Sequence, residues 1–156
     1  VQAGMDDASV DASMSREVRE RVEASFGRQG LMRYLGARLT RIAPGCVHIE
    51  LASRPEVTQQ HGHVHAGATS AIADTAGGYA ALTLLPEGAE VLTAEYKLNL
   101  TAPARGDRIE AVGTVLKSGR TLSVCRLEVY SVQDDQRSLV AAGLQTIYCV
   151  RPAAAQ

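Results

Sequence analysis

The order of apolar and polar positions divides the chain into a helical start, one long apolar segment and a second half of alternating runs. Residues 15–30 (SREVRERVEASFGRQG) carry Val18, Val22 and Phe26 at four-residue intervals among charges. That spacing predicts a short amphipathic helix, with Gly27 and Gly30 as stops. A first strand is expected over residues 34–42, a turn at Ala43-Pro44-Gly45, and a second strand over residues 46–51 (CVHIEL), pairing with the first as a hairpin. Residues 52–64 are polar and read as a loop. Residues 65–85 (HAGATSAIADTAGGYAALTLL) contain no Pro and are apolar almost all round, which predicts a helix buried on most sides. Gly77 and Gly78 each cost that helix about 1 kcal/mol against Ala, so they imply the close approach of another backbone. Pro86-Glu87-Gly88 ends the element.

Strands are expected over residues 91–100, 108–116, 121–132 and 139–150, separated by Pro103-Ala104-Arg105-Gly106, Ser118-Gly119-Arg120 and Gln133-Asp134-Asp135-Gln136. Ile109, Ala111, Gly113 and Val115 alternate with Arg108, Glu110, Val112 and Thr114, the pattern of a sheet covered mainly on one face. The predicted order is therefore helix, two strands, a long buried helix and four strands. An α+β fold, a six-stranded antiparallel sheet wrapped around one buried helix, meets that order with short connections. No internal repeat, heptad run or low-complexity block interrupts it. Residues 1–13 are small, acidic and unpatterned and are expected to be flexible, residues 14–151 to form a single domain, and residues 152–156 to be a flexible tail. Residues 1–4, ahead of Met5, are expected to be an artificial extension with no part in the fold.

Composition narrows the function classes. A chain of 156 residues, 46% hydrophobic and 21% charged, holds one globular core. A net charge of -1 supplies no excess of cations for phosphate neutralisation, so no nucleic-acid partner is expected. No apolar run reaches the roughly 20 residues of a membrane span, and the N-terminus lacks a secretory pattern. Cys46, Cys125 and Cys149 are odd in number, without CxxC spacing, and sit in apolar or alternating runs. They read as buried free thiols in a reducing, cytoplasmic setting.

The chemistry concentrates in residues 59–95. Asp74 lies in the most apolar segment, where a carboxylate costs several kcal/mol to desolvate without partners. The segment offers no Lys or Arg to pair with it. Asp74 is therefore either a helix residue pointing to solvent or bonded to a nearby hydroxyl such as Ser70, or a carboxylate held for general-base or nucleophilic work at a cleft or interface. His65-Ala66-Gly67 opens the same helix, whose first-turn amides are unpaired and carry the positive end of the dipole, so they can polarise a carbonyl oxygen. Asp74 stands eight residues beyond Ala66, roughly 12 Å along a helix. Both groups can serve one substrate only if a second, antiparallel copy completes the site. Metal binding by His61, His63 and His65, at alternate positions, is a geometric alternative. Against it, Val64 stands where the metallo-β-lactamase pattern needs an acidic residue, and no metal is expected. Lys117-Ser118-Gly119-Arg120 is either an ordinary hairpin turn or a contact for phosphates.

Gln59, Gly62, His65, Ala66, Gly67 and Asp74, followed by LTAEYKLNLTAPARGD and KSGRTL, resemble the PaaI-like (phenylacetate-pathway) hotdog-fold thioesterases and the related aryl-CoA thioesterases. The likeness runs over about residues 31–150. It implies the hotdog fold and hydrolysis of an acyl-CoA, aryl or fatty, to a free acid and coenzyme A, with no cofactor beyond the coenzyme A of the substrate. By the same resemblance Asp74 is the nucleophile or general base, and the Ala66 N–H, at a position usually Gly, makes the oxyanion contact. Gln59 touches the thioester or the water. Thr93 helps hold the water or carboxylate, supplied with Asp74 by the opposite subunit. Gly67 belongs to the substrate-binding turn, with phosphate and pantetheine contacts near Arg105, Lys117, Ser118, Gly119 and Arg120. A homodimer or tetramer is implied. The alternatives are a non-catalytic acyl-CoA-binding module, which has no need of Asp74, and an enoyl-CoA hydratase, whose Asp and His pair is absent because no His follows Asp74 in its helix.

Overall fold

Ser15 opens the first helix of the computed structural model, which describes residues 14–150. The Val18 N–H donates to Ser15 Oγ at 3.3 Å, so Ser15 caps helix α1 (Arg16–Arg28). The flexible segments expected at 1–13 and 152–156 lie outside the described residues. Gly27 does not stop α1; the break falls at Gln29, and a second short helix, α2 (Gly30–Leu35), follows where a strand was expected to begin. Met32 and Leu35, three apart, are both buried, so the helical period prevails over residues that also suit a strand. Gly36, at φ 73°, ends α2 in the left-handed conformation that glycine adopts without strain.

Strands β1 (Arg38–Ala43) and β2 (Cys46–Ala52) form the expected hairpin. The polar loop beyond them contains a 3₁₀ turn (Pro55–Val57) and an antiparallel bridge from Thr58 to Val64. Helix α3 (Ala66–Leu82) then leads to β3 (Glu90–Leu100), β4 (Arg108–Lys117), β5 (Leu122–Gln133) and β6 (Gln136–Val150). Strand β6 starts three residues before the expected 139. Asp134 and Asp135 take φ of 49° and 60°, a two-residue turn that carries the pairing out to Gln133 and Gln136.

All neighbours are antiparallel, in the order β1-β2-β4-β5-β6-β3. The chain must therefore cross from the second strand position to the far edge between β2 and β3. Four strand spacings are about 19 Å. The 17 residues of α3 give roughly 25 Å, enough to make the crossing over the inner face. Helix α3 packs there against β4, β2, β5 and β3. A Cβ on Gly113 of β4 would fall 2.4 Å from the backbone carbon of Ala76 and the backbone nitrogen of Gly77, so helix and sheet meet backbone to backbone at that point. Arg21 of α1 fixes the other end of α3, donating to the Leu82, Leu85 and Pro86 carbonyls at 2.7, 2.9 and 2.7 Å. A cation at a helix C-terminus satisfies orphan carbonyls and favours the dipole.

Strand β3 is left as an open edge along its 11 residues. Register with β6 shifts between Thr93 and Glu95, an irregularity that re-aims side chains. Thr93, opposite Ile147, and Tyr96, opposite Gln145, consequently both face the helix side of the sheet. Among the described residues no helix is long and apolar enough to cross a membrane.

Candidate active site

The third turn of α3 places Asp74 half-buried beside β3 and β6, the two strands at the open side of the sheet. Thr93 Oγ1 donates to Asp74 Oδ1 at 2.6 Å, and Gln145 Nε2 donates to the same oxygen at 2.6 Å. Gln145 Nε2 also lies 3.0 Å from the Asp74 carbonyl and 3.2 Å from Thr93 Oγ1. Gln145 is 0% exposed. Its amide must point its nitrogen here, because the atoms it meets on Asp74 are both acceptors. Its Oε1 is then left buried with no hydrogen-bond partner among the described residues. Gly77 makes the room: a Cβ there would fall 1.8 Å from that oxygen. Two neutral donors thus converge on Oδ1, and neither uses Oδ2.

The N-terminus of α3 forms the second half of the expected site. His65 is the N-cap, and its Nδ1 accepts the Gly67 N–H at 2.8 Å, so the ring acts as the unprotonated acceptor on that nitrogen. The His65 carbonyl takes the Ala68 and Thr69 amides at 3.0 and 3.1 Å. Ala66, the first helical residue, has no intrahelical acceptor for its N–H. Two main-chain bonds hold this corner in place: His65 N–H to the Val57 carbonyl at 2.8 Å and Val64 N–H to the Ala104 carbonyl at 3.0 Å. Gln59 stands in the adjoining turn, where its side-chain oxygen accepts the His61 N–H and its own N–H bonds to the His63 carbonyl at 2.8 Å.

Within one chain the two halves open into different cavities. Gln59, His63, His65 and Ala66 line a cavity of about 460 Å³ with Leu100 and Val140. Asp74 and Thr93 line another, of about 250 Å³, whose wall includes Ser25, Gln29 and Tyr79. Arg105 lines neither of these but a separate cavity with Gly106, Ser131 and Gln133; its Nη2 lies 3.3 Å from His63 Nε2, and its N–H donates to Ser131 Oγ at 2.8 Å. Lys117, Ser118, Gly119 and Arg120 make the β4–β5 connection at the opposite end of β4 from Arg105 and line neither cavity. Gly119 is required there, since a Cβ would meet the Leu122 carbonyl oxygen at 2.3 Å. Among the described residues no three His, Cys, Asp or Glu side chains stand together as a metal set. Sequence reasoning missed Gln145. Its only signal is parity: it shares the inward register of Gly143 and Ile147 on β6, where an amide has no reason to be buried unless it bonds something.

A long helix laid across the concave face of a six-stranded antiparallel sheet, with a carboxylate oriented at the sheet's open side, defines a hotdog-fold protein. A sequence model of the Thioesterase superfamily matches residues 61–138, half of the chain, and the chain belongs to that family. A solved thioesterase family protein from Silicibacter pomeroyi is 38% identical, with a TM-score of 0.84 over 86% of this chain and 99% of that one. A protein of Halobacterium salinarum named as a candidate esterase is 31% identical over 110 residues, 67% of this chain and 72% of its own length. The E. coli PaaI protein from the phenylacetic acid degradation operon is 20% identical over 88% of this chain and 96% of its own, and its TM-score of 0.77 speaks to the fold. Family membership supports a hydrolase acting on thioesters in general.

Proposed function

We propose that the chain hydrolyses an acyl-CoA thioester, with Asp74 as general base or nucleophile and the Ala66 N–H as the donor to the thioester oxygen. The observation that carries this reading is the fixation of Asp74 Oδ1 by Thr93 and Gln145, both at 2.6 Å. With Oδ1 occupied, Oδ2 remains to take the proton of an attacking water or to attack the carbonyl itself. Negative charge developing on the carbonyl oxygen is met by an amide at the positive end of α3. On the general-base route, collapse of the tetrahedral species expels the coenzyme A thiolate, which recovers the proton from Asp74. On the nucleophilic route collapse leaves an anhydride on Asp74, and the water that opens it supplies the proton of the thiol. Heavy oxygen from labelled water found on Asp74 after one turnover marks the nucleophilic route, with water opening the anhydride at the Asp74 carbon.

The two halves lie eight residues apart on one rigid helix, so one substrate reaches both only where two copies meet. The open β3 edge favours pairing of two chains there, with Leu92, Tyr96 and Leu100 exposed along it. In such a dimer Ala66, His65 and Gln59 of one protomer face Asp74 and Thr93 of the other, with Gly67 beside the substrate. Arg105 and the Lys117-Ser118-Gly119-Arg120 turn would then meet one coenzyme A only from different protomers. No metal or further cofactor enters the scheme. The test is steady-state hydrolysis of a panel of acyl- and aryl-CoA esters by wild type and Asp74→Asn. Loss of a positioned general base costs about 10²–10⁴-fold in kcat. Equal rates in the two proteins remove Asp74 from the chemistry, and no hydrolysis by wild type favours the binding module.

A further inference from the structure

Cys46 stands outside the thioesterase site, yet it is not a plain buried thiol. It opens β2, and the alternation Cys46, His48, Glu50 places these three side chains on the outer face of the sheet, away from α3. The register sets Thr114 opposite Cys46, Arg41 opposite His48, and Glu110 opposite Glu50. His48 Nδ1 lies 2.6 Å from Glu110 Oε1, and His48 stands two residues from Cys46 on the same face of β2. Thr114 Oγ1 is 4.0 Å from Cys46 Sγ. Arg137 Nη2 holds the other Glu110 oxygen at 2.9 Å, so the carboxylate is oriented from both sides. The turn before Cys46 is pinned as well. The Gly45 N–H donates to Thr83 Oγ1 at 2.8 Å, and the Gly45 carbonyl accepts the Val115 N–H at 2.8 Å.

We propose that Cys46, His48 and Glu110 form a reactive-thiol site that exchanges with disulfides of low-molecular-mass thiols. The Cys46 sulfur attacks one sulfur of the disulfide, a protein–small-thiol disulfide forms, and the departing thiolate takes the proton held by His48. No external oxidant is needed, because the disulfide brings its own oxidation state. The electrostatics agree with the geometry. Burial opposes ionisation of the Cys46 thiol, but the hydrogen bond and charge of His48, with Thr114 and Arg41, outweigh it and leave the thiol below its ordinary range. Burial likewise opposes the imidazolium, and bonds to Cys46 and Glu110 outweigh it, carrying His48 to about 9. Other charges near this face are Arg126, paired with Glu128, and Arg108, paired with Glu50. A thiol beside a histidinium and partly open to solvent is the environment of a reactive cysteine. Cys125 is the internal contrast: fully buried, bonded to the Gly77 carbonyl, and pushed up to about 11 by burial.

This inference is independent of the hydrolytic reading. Its test is incubation of the full chain with oxidised glutathione between pH 6 and 9, with adducts mapped by peptide mass spectrometry. The expected result is a single adduct at Cys46, forming at pH 6.5 at least about tenfold faster than at Cys125 or Cys149, with a rate inflection below the roughly 8.5 of a free thiol. His48→Gln should slow it about tenfold at that pH and return the inflection to the free-thiol range, and Glu110→Gln should fall between. An ordinary inflection in the wild type, or no change in His48→Gln, overturns the proposal. If a variant unfolds, seen as Cys125 reacting as fast as Cys46, the wild-type profile alone decides.

Discussion

At the scale of single residues, the candidate site is a carboxylate whose partners come from strands far away in sequence. Asp74 was legible because a carboxylate in an apolar helix without a cation stands out. Gln145, 71 residues on, was not, since one amide in an alternating strand resembles an outward-facing residue until the register is known. The pairing of Gln145 with Asp74 gives a separable prediction. Gln145→Met keeps the volume and removes both the donor to Asp74 and the unpartnered Oε1. Stability should then change by less than about 1.5 kcal/mol, while kcat for thioester hydrolysis falls more than tenfold; an unchanged kcat would mean that Thr93 alone orients Asp74. Cys46 shows the opposite error. It was read as a buried thiol from alternation, but the outer face of β2 is only half-covered, and its neighbours there are His48 and Thr114 rather than apolar side chains. Glu110 supplies the pH dependence. The His48 hydrogen bond, resisted by burial and aided by Arg137, holds its carboxyl below the usual 4.5. A carboxyl depressed on folding contributes stability that is present above about 4.5 and is lost as pH falls through the folded value. The stability gap between wild type and Glu110→Gln, measured by urea unfolding, should therefore narrow as pH drops from 6 towards 3. A constant gap would contradict the ion pair with His48.

At the scale of elements, the long apolar helix and the later strands were readable because their periods are unambiguous over ten or more residues. The second short helix was not, because residues 30–35 offer only two buried positions, Met32 and Leu35, and either period fits two points. The adjacent glycines of α3 were expected to act alike and do not. A Cβ at Gly77 collides with Gln145 Oε1 at 1.8 Å and with Leu127 Cδ2 at 2.7 Å, whereas at Gly78 the nearest atom is Ile147 Cδ1 at 4.0 Å. Gly77→Ala should lower stability by about 1–3 kcal/mol through overpacking and should displace Gln145, taking activity with it. Gly78→Ala should raise stability by about 0.5–1 kcal/mol, the helix propensity gained. Thermal unfolding of the two variants checks both signs, and a shift in the same direction for both would refute the assignment of Gly77 as the space for Gln145.

At the scale of the whole molecule, the strand count and the crossover helix follow from element order, but strand order does not. Only the folded sheet shows that β3 is an edge strand, as β1 is at the other side, and that it carries Thr93 to Asp74. The separation of Ala66 from Asp74 was legible from helix rise alone, and the two distinct cavities give it a spatial form. A composite site between two copies is the central claim, and α3 offers an unusually clean way to disable each half. Ala66→Pro removes the proposed donor at the first helical position, where proline is favoured, and His65, with φ -63° and ψ 138°, already has the extended conformation that precedes proline. Asp74→Asn disables the other half. Each variant alone should be nearly inactive. Unfolded together, refolded as an equal mixture and assayed for thioester hydrolysis, they should recover about a quarter of wild-type activity, since half of the dimers are mixed and each mixed dimer has one intact site of two. Activity no greater than the sum of the two separate variants would contradict the composite site.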